Sequence, residues 1–459
     1  MINNASFFEL TKIKISMILK FILFMNLVFL VHYSYACTTI LIGKEATKNR
    51  CVILAHNEDM GKEAAGVLTY YTGQKFPSKT LLKVPYIELD QVLKTYSFWG
   101  AGNAKNVSGL GVSNQLAYEY NHILVGMNEN GVAIASNWMN SKEENLVGVG
   151  IRRYAIRQLV LERAKTSKEA VEIITNFIDK YGQADWSGLT YSVADSNEAW
   201  VIETTSSHWV ARRIRDNEIW TVANRFTITD DYDIASSGLV KYAYNKKWIS
   251  TEREKINFRK VFGKFPENAQ EYDIGRENLV RNLLGPHKEE IEVAMVMEVL
   301  KYRYQDEENF KPITEECWRD YCIEHKLKRP LSSCLTQSSI IATLHPKYEK
   351  LGGKMWYSHA SPHVGIYFPI YGVLTKIYSG FGNEEAKSLN WWKFRQLQAR
   401  VDNNYDSLFM EFNNFQEKIQ NQILVENSKF ESKNEQDLAE WEKHQEKLSE
   451  MAMEILTEN

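Results

Sequence analysis

A chain of 459 residues that is 44% hydrophobic and 25% charged has the length and apolar content for a large folded core, which excludes disorder as its default state. Its 55 basic and 58 acidic side chains leave a formal net charge of -3, so nothing in the charge favours nucleic acid as a partner. Aromatic residues make up 12% of the chain and suit a densely packed interior.

The N-terminal segment reads as an address and not as part of the fold. Lys12, Lys14 and Lys20 precede an apolar run from Phe21 to Val31, and Ser34-Tyr35-Ala36 places small residues at the two positions that signal peptidase reads. The run is shorter than the roughly 20 residues a helix needs to cross a bilayer, so residues 1–36 are expected to be a cleaved secretory signal. No later segment is apolar enough to span. An exported protein is expected, in the periplasm or the external medium, with no membrane span after cleavage and with Cys37 as its first residue.

Thr38 to Gly43 and Cys51 to His56 are short β-branched runs that predict two paired strands. His122 to Met127 and Val132 to Asn137 predict a hairpin across Asn128-Glu129-Asn130-Gly131, whose Asn-Gly pair suits a tight turn. The period then changes to that of helices over Ile151 to Arg163 and Lys168 to Asp179, the second capped by Thr166-Ser167. From Leu189 to Asn224 the runs YSVAD, AWVIET, HWVARRI and IWTVAN predict a meander of four neighbouring antiparallel strands. Helices are expected at Arg276 to Leu284 and Glu289 to Tyr304, and a last strand set from Leu335 to Tyr371. Glu384 to Leu456 is charged and helical in pattern, with neither Pro nor Gly, and is expected to form long helices packed on the body, with a solvated, partly frayed end after Ser428. Together these predict a layered α+β protein, with sheets stacked between helices. The expected organisation is a signal over 1–36, a catalytic domain over 37–395 and a helical C-terminal extension over 396–459.

Five cysteines, Cys37, Cys51, Cys317, Cys322 and Cys334, are too few for a disulfide scaffold. A bridge among the last three, such as Cys317 to Cys334, is compatible with export, but spacing does not fix connectivity. Cys37 is the informative one. A cysteine at a mature N-terminus carries an α-amine with an unperturbed pKa of roughly 7.7 to 8.0, which can act as general base toward its own thiol. An exposed, positively influenced thiol would already be partly thiolate. The alternatives are a lipid-modified cysteine and a buried structural one.

Cys37-Thr38-Thr39-Ile40-Leu41-Ile42-Gly43-Lys44, followed by Ala55-His56-Asn57-Glu58-Asp59, resembles the opening of the bacterial N-terminal-nucleophile dipeptidases of the dipeptidase A type. The segment from Gly188 to Phe226 is similar to that family's central block, and Gly352 to Tyr371 is a third, weaker match. The resemblance implies an αββα four-layer sandwich and an acyl-enzyme mechanism, shared with penicillin V acylases and bile salt hydrolases. It also implies roles. Asp59 matches the aspartate that orients the nucleophilic cysteine and its amine. Asn137, in GMNENGVAIASNW, resembles the asparagine that donates a hydrogen bond to the oxyanion, and Asn224, in TVANRF, the second asparagine near the tetrahedral intermediate. Arg225 is expected either to bind a substrate carboxylate or to sit in a structural ion pair. His56 stands where many relatives have Arg, which removes a fixed positive charge near the thiol; His56 and Asn57 are placed on the substrate side.

His345, His359 and His363 match no compact ligand spacing, so no metal is expected, and no cofactor motif is present. The expected activity is hydrolysis of short peptides, dipeptides foremost. The alternatives are an acylase acting on non-peptide amides and a non-catalytic secreted or lipid-anchored binding protein. A dipeptide has two charged ends, so its site needs a cation and an anion. Arg225 is a candidate cation, and no anion is assigned. Small peptides are the expected partners, and assembly into homo-oligomers is left open.

Overall fold

Among the described residues, the elements from Thr38 to Met139 are strands apart from one short helical turn at Lys44–Ala46. The computed structural model describes residues 37–457 apart from 61–65, 104–122, 144–147, 186–187, 253, 265–269, 309, 311, 313–327, 379–389 and 434–435. In chain order β1 (Thr38–Ile42) and β2 (Val52–Asp59) are followed by β3 (Gly66–Tyr71), a separate hairpin of β4 (Leu81–Val84) and β5 (Ile87–Asp90), then β6 (Phe98–Asn103), β7 (Ile123–Asn128) and β8 (Ala133–Met139). Helices α1 (Arg153–Arg163) and α2 (Ser167–Tyr181) lead into β9 (Gly188–Ala194), β10 (Ala199–Thr204), β11 (Trp209–Arg213), β12 (Ile219–Val222) and β13 (Ile234–Ala235). Among the described residues, helices α3 (Leu239–Asn245), α4 (Phe258–Phe262), α5 (Gln270–Leu284) and α6 (Val293–Lys301) follow. The chain closes with β14 (Thr336–Leu344), β15 (Lys354–His359), β16 (Phe368–Tyr371), α7 (Trp391–Asn403), α8 (Tyr405–Glu431) and α9 (Leu438–Met451).

Two antiparallel sheets result, one in the order β12-β1-β2-β14-β15-β16 and one in the order β13-β11-β10-β9-β8-β7-β6-β3. They face each other through Leu41 and Leu54 of the first and Val125, Met127, Ala135 and Val201 of the second. On the outside of the eight-stranded sheet, Ile156, Leu159, Val171 and Ile174 of α1 and α2 pack on Ile134, Val193 and Ile202. Helices α5, α6 and α9 lie against strands of the six-stranded sheet. Because both faces of the six-stranded sheet are covered, β1, β2, β14, β15 and β16 are buried along their whole length. The architecture is the expected α+β, αββα sandwich.

Local chemistry explains the elements that were legible. At the hairpin between β7 and β8, Asn128 Oδ1 accepts from the amides of Asn130 and Val132 at 3.0 Å, and Gly131 takes φ +74, where a side chain would be strained. Thr166 caps α2 by accepting from the amide of Glu169 at 3.1 Å.

Three expectations are corrected. Only three of the four meander strands are neighbours: β12 leaves the sheet of β9 to β11 and pairs with β1, while β13 takes the edge beside β11. Alternating residues specify a strand but not its partner, and β1 had an open edge to offer. The helix expected from Glu289 starts only at Val293, since Glu289 has φ +77 and Ile291 is bridged to Thr47. The tail beyond Ser428 is not frayed: α8 runs to Glu431, Asp437 and Glu440 form a reciprocal cap on α9, and Trp441, Leu448 and Ile455 are buried. Residue 395 lies inside α7. Cys317 and Cys322, and with them the expected bridge to Cys334, lie outside the described residues, as do residues 1–36.

Candidate active site

Cys37 stands at the threshold of β1, and strand pairing decides what surrounds it. Thr38 is opposite Asn57 and Thr39 opposite His56, so Thr39, His56 and Glu58 share the face that looks between the two sheets, while Thr38, Asn57 and Asp59 share the face toward the helices. Cys37 is 2% exposed. Its Sγ lies 3.5 Å from Glu58 Oε1 and 3.7 Å from the backbone oxygen of Asp59, either of which can accept its proton.

On the inter-sheet face a hydrogen-bonded chain runs from β8 to β2. Asn137 gives its amide protons to the carbonyls of Cys37 at 2.8 Å and Val222 at 3.2 Å, which turns its Oδ1 to the Thr39 hydroxyl at 2.6 Å. Thr39 spends its one proton there, so its oxygen accepts from His56 Nδ1 at 2.7 Å. His56 Nε2 then meets Glu58 Oε2 at 2.9 Å, and one proton must lie between them. Where an Arg would bring a fixed cation, this chain places an imidazole partnered by Glu58.

On the helix face Arg276 of α5 is the organiser. It is fully buried and donates to the Cys37 carbonyl at 2.9 Å, to the Thr38 hydroxyl at 2.9 Å, to Asn224 Oδ1 at 2.8 Å and to Asp273 at 2.8 Å. A guanidinium only donates, so it fixes the orientation of Asn224: the oxygen faces Arg276 and the amide turns to the carbonyl of Trp138 at 3.0 Å. Asn224 reaches this position because β12 crosses to pair with β1. Asp59 is held by the Arg329 guanidinium and by the Thr336 hydroxyl at 2.5 Å, so it presents its backbone oxygen and not its carboxyl to the thiol.

Burial pushes the Cys37 thiol well above its ordinary range, with the Glu58 and Asp59 carboxyls adding to the rise; the Asp59 backbone oxygen and Arg153 oppose it. An exposed thiol with a cation beside it would be partly ionised; this one is buried between two sheets and holds its proton more tightly. Burial also pushes the Asp59 carboxyl up, against Arg329, Thr336 and Arg276, which pull it down.

The structure brings Cys37, His56, Asn137 and Asn224 together with Asp59 behind them. Asn57 and Arg225 go elsewhere. Asn57 points to the helix face and binds the carbonyls of Leu300 at 2.9 Å and Leu331 at 2.8 Å. Arg225 is paired two-pronged with Glu277 through Nε to Oε1 at 2.8 Å and a second, closer contact. Beside it lies a cavity of about 600 Å³ that reaches Asn224 and is lined by Lys142, Arg225, Arg259, Lys260 and Lys264, with no acidic side chain among its described lining. Thr39, Glu58, Arg276 and Arg329 were missed; Glu58 alone had a signal, its place between two singled-out neighbours.

Cys37 Sγ, a ring nitrogen of His56 and an oxygen of Glu58 all lie within 4.8 Å of one another, the one such trio among the described residues, and are close enough to share a cation. Among the described residues, His345, His359 and His363 belong to no such group. His345 caps a short helical turn, His359 bonds the Tyr357 hydroxyl at 3.0 Å, and His363 bonds Ser332 at 2.8 Å.

A family model described as peptidase family C69 matches residues 36–418. A probable dipeptidase A of Streptococcus pyogenes serotype M1 is 24% identical over 421 residues, 84% of this chain and 85% of that one. A probable dipeptidase of Salmonella dublin is 23% identical over 371 residues, 73% of this chain and 81% of that one. Among solved structures, penicillin V acylase from Agrobacterium tumefaciens covers 74% of this chain and 87% of its own at 16% identity and a TM-score of 0.40. A variant of conjugated bile acid hydrolase from Clostridium perfringens covers 73% and 92% at 13% identity and a TM-score of 0.40. The family match begins next to Cys37, takes in both sheets and the organising Arg276, and ends within α8: the chain belongs to peptidase family C69.

Proposed function

We propose that this peptidase hydrolyses short peptides, dipeptides foremost, with Cys37 as its nucleophile once residues 1–36 have been removed on export. The observation that carries the reading is the grip on Cys37. Its carbonyl is held by Asn137 at 2.8 Å and Arg276 at 2.9 Å, from opposite faces of β1, while its thiol is aimed at two acceptors. A cysteine that served packing alone would have no use for a buried guanidinium and a buried amide on one backbone oxygen.

Cleavage before Cys37 supplies what the buried thiol lacks. The freed α-amine takes the thiol proton as Sγ attacks the peptide carbonyl, and it passes that proton to the departing amine as the C–N bond breaks and a thioester remains. Water, deprotonated by the same amine, then attacks the thioester, releases the acid and returns the proton to sulfur. Asn137 has spent both amide protons, whereas Asn224 has one on Trp138 and a second to offer an oxyanion. The cation-lined cavity that reaches Asn224 suits a substrate carboxylate better than an apolar acyl chain.

The test is N-terminal sequencing and intact mass of the exported protein, followed by a dipeptide panel against wild type and Cys37→Ser. A chain that starts at unmodified Cys37, cleaves dipeptides, and loses at least about 1000-fold in kcat on Cys37→Ser is expected. Unchanged turnover in that variant, or a lipid on Cys37, would overturn the reading.

A further inference from the structure

The hydrolysis described above leaves one group beside the nucleophile without work. Glu58 Oε1 lies 3.5 Å from Cys37 Sγ. Its other oxygen is engaged by His56 at 2.9 Å, and the whole residue is 4% exposed. Asp59 next to it is different, because both its carboxyl oxygens are taken by Arg329 and Thr336. When the thiol gives up its proton, Glu58 Oε1 loses its donor and faces a sulfur anion. Two like charges at that distance oppose each other; the protonated Cys37 amine and the nearby Arg153 and Arg157 ease that opposition, and a cation arriving with the substrate eases it further.

A peptide with a free N-terminus brings that cation to the right place. Its α-ammonium nitrogen is two bonds from the carbonyl carbon of the first residue, about 2.5 Å away. Attack requires Sγ to come within about 3 to 3.5 Å of that carbon. The ammonium therefore lies no more than about 6 Å from Sγ, and an oxygen 3.5 Å from Sγ can meet it at a hydrogen-bond distance of about 2.8 Å. His56 steadies Glu58 from the other side, and His56 is itself held through Thr39 and Asn137.

We propose that Glu58 is the receptor for the free α-ammonium of the substrate, so that the enzyme takes peptides with an unblocked N-terminus and cuts after their first residue. The assignment rests on the reading of Cys37 as a peptidase nucleophile and supplies the anion that a dipeptide site needs. Blocking the amine removes the positive charge and all but one of its N–H donors, and puts a bulky acyl group before Glu58 Oε1, a mismatch that buried polar sites reject strongly. Specificity and activation are then coupled: the ammonium that is recognised also offsets the charge that opposes a Cys37 thiolate.

The experiment compares one dipeptide with its N-acetylated form on wild type and Glu58→Gln. Wild type is expected to favour the free amine by at least about 100-fold in kcat/KM, and Glu58→Gln to lower kcat/KM for the free amine about 100-fold, chiefly through KM. Its effect on the acetylated substrate is expected to stay within about threefold. An equal loss on both substrates, or no loss on either, overturns the assignment. If Glu58→Gln does not fold, calorimetric binding of the two peptides to Cys37→Ser decides. Tighter binding of the free amine supports the proposal, and equal binding overturns it. Wild type that cleaves neither substrate, or only acylated amides, instead overturns the peptidase reading itself.

Discussion

Asn137 and Asn224 carry the same side chain into different surroundings, and their variants are expected to differ accordingly. Asn137 has both amide protons on backbone carbonyls, one from each of two adjacent strands, β1 and β12. Asn137→Ala leaves the Val222 carbonyl buried with one donor fewer and loosens Cys37, so kcat and melting temperature should fall together. Asn224→Ala removes the candidate oxyanion donor, so kcat should fall roughly 100- to 1000-fold with KM little changed. Steady-state kinetics with thermal unfolding separates the two, and equal effects on stability would count against the distinction. At this scale the sequence singled out Cys37, His56, Asn137 and Asn224, which the fold brings together, but the oxyanion role it gave Asn137 meets two amide protons already spent on backbone carbonyls. It was silent on Arg276, which sits 239 positions from the carbonyl it grips, in a helix whose pattern gives no hint of a buried charge. Arg225 was assigned to either of two uses, and the structure shows it both paired with Glu277 and lining the cavity beside Asn224.

Strands and helices read most clearly where local chemistry closes them. The α2 helix is held at its start by the Thr166 hydroxyl and by Asp195, which accepts from the amide and hydroxyl of Ser167, so Thr166→Ala should cost about 1 kcal/mol in urea unfolding while catalysis is untouched. A loss below about 0.3 kcal/mol would show that the Thr166 cap is redundant. The β7 to β8 turn was legible for a similar reason, since Asn128 and Gly131 do work that few other residues do there. The path of β12 was not legible. Its four residues carry a strand pattern that fits either sheet, and only the vacancy beside β1 decides the matter. That single crossing delivers Asn224 to the site, so the least predictable pairing in the fold is also one on which the chemistry depends.

Across the whole molecule the C-terminal helices pack on the body, as their pattern predicted, and are bonded to it through buried polar groups even beyond Ser428, where the charged pattern predicted a solvated end. Glu431 at the end of α8 accepts from Lys354 of β15 at 2.8 Å and from the hydroxyls of Tyr348 and Tyr371. Burial opposes its charge, but Lys354 and the two tyrosines outweigh burial and hold its pKa at about 2, below the ordinary 4.5. A depressed carboxyl stabilises the fold fully above about pH 4.5, and the contribution is lost as the pH falls toward 2. The melting temperature of wild type should therefore drop more steeply over that window than that of Glu431→Gln; parallel curves would show that the pair contributes nothing. Glutamines complete the attachment. Gln420 both donates to and accepts from the backbone of Tyr367, and Gln445 accepts from the amide of Tyr371 while donating to the carbonyl of Lys376. Each side-chain amide mimics a peptide unit, so the tail acts as a counterfeit neighbouring strand along β16, the outermost strand of the six-stranded sheet. A chain shortened before Gln445 would uncover part of that edge, and its first new property would be stickiness: the bared Tyr371 amide is an invitation to pair with another copy, sheet to sheet.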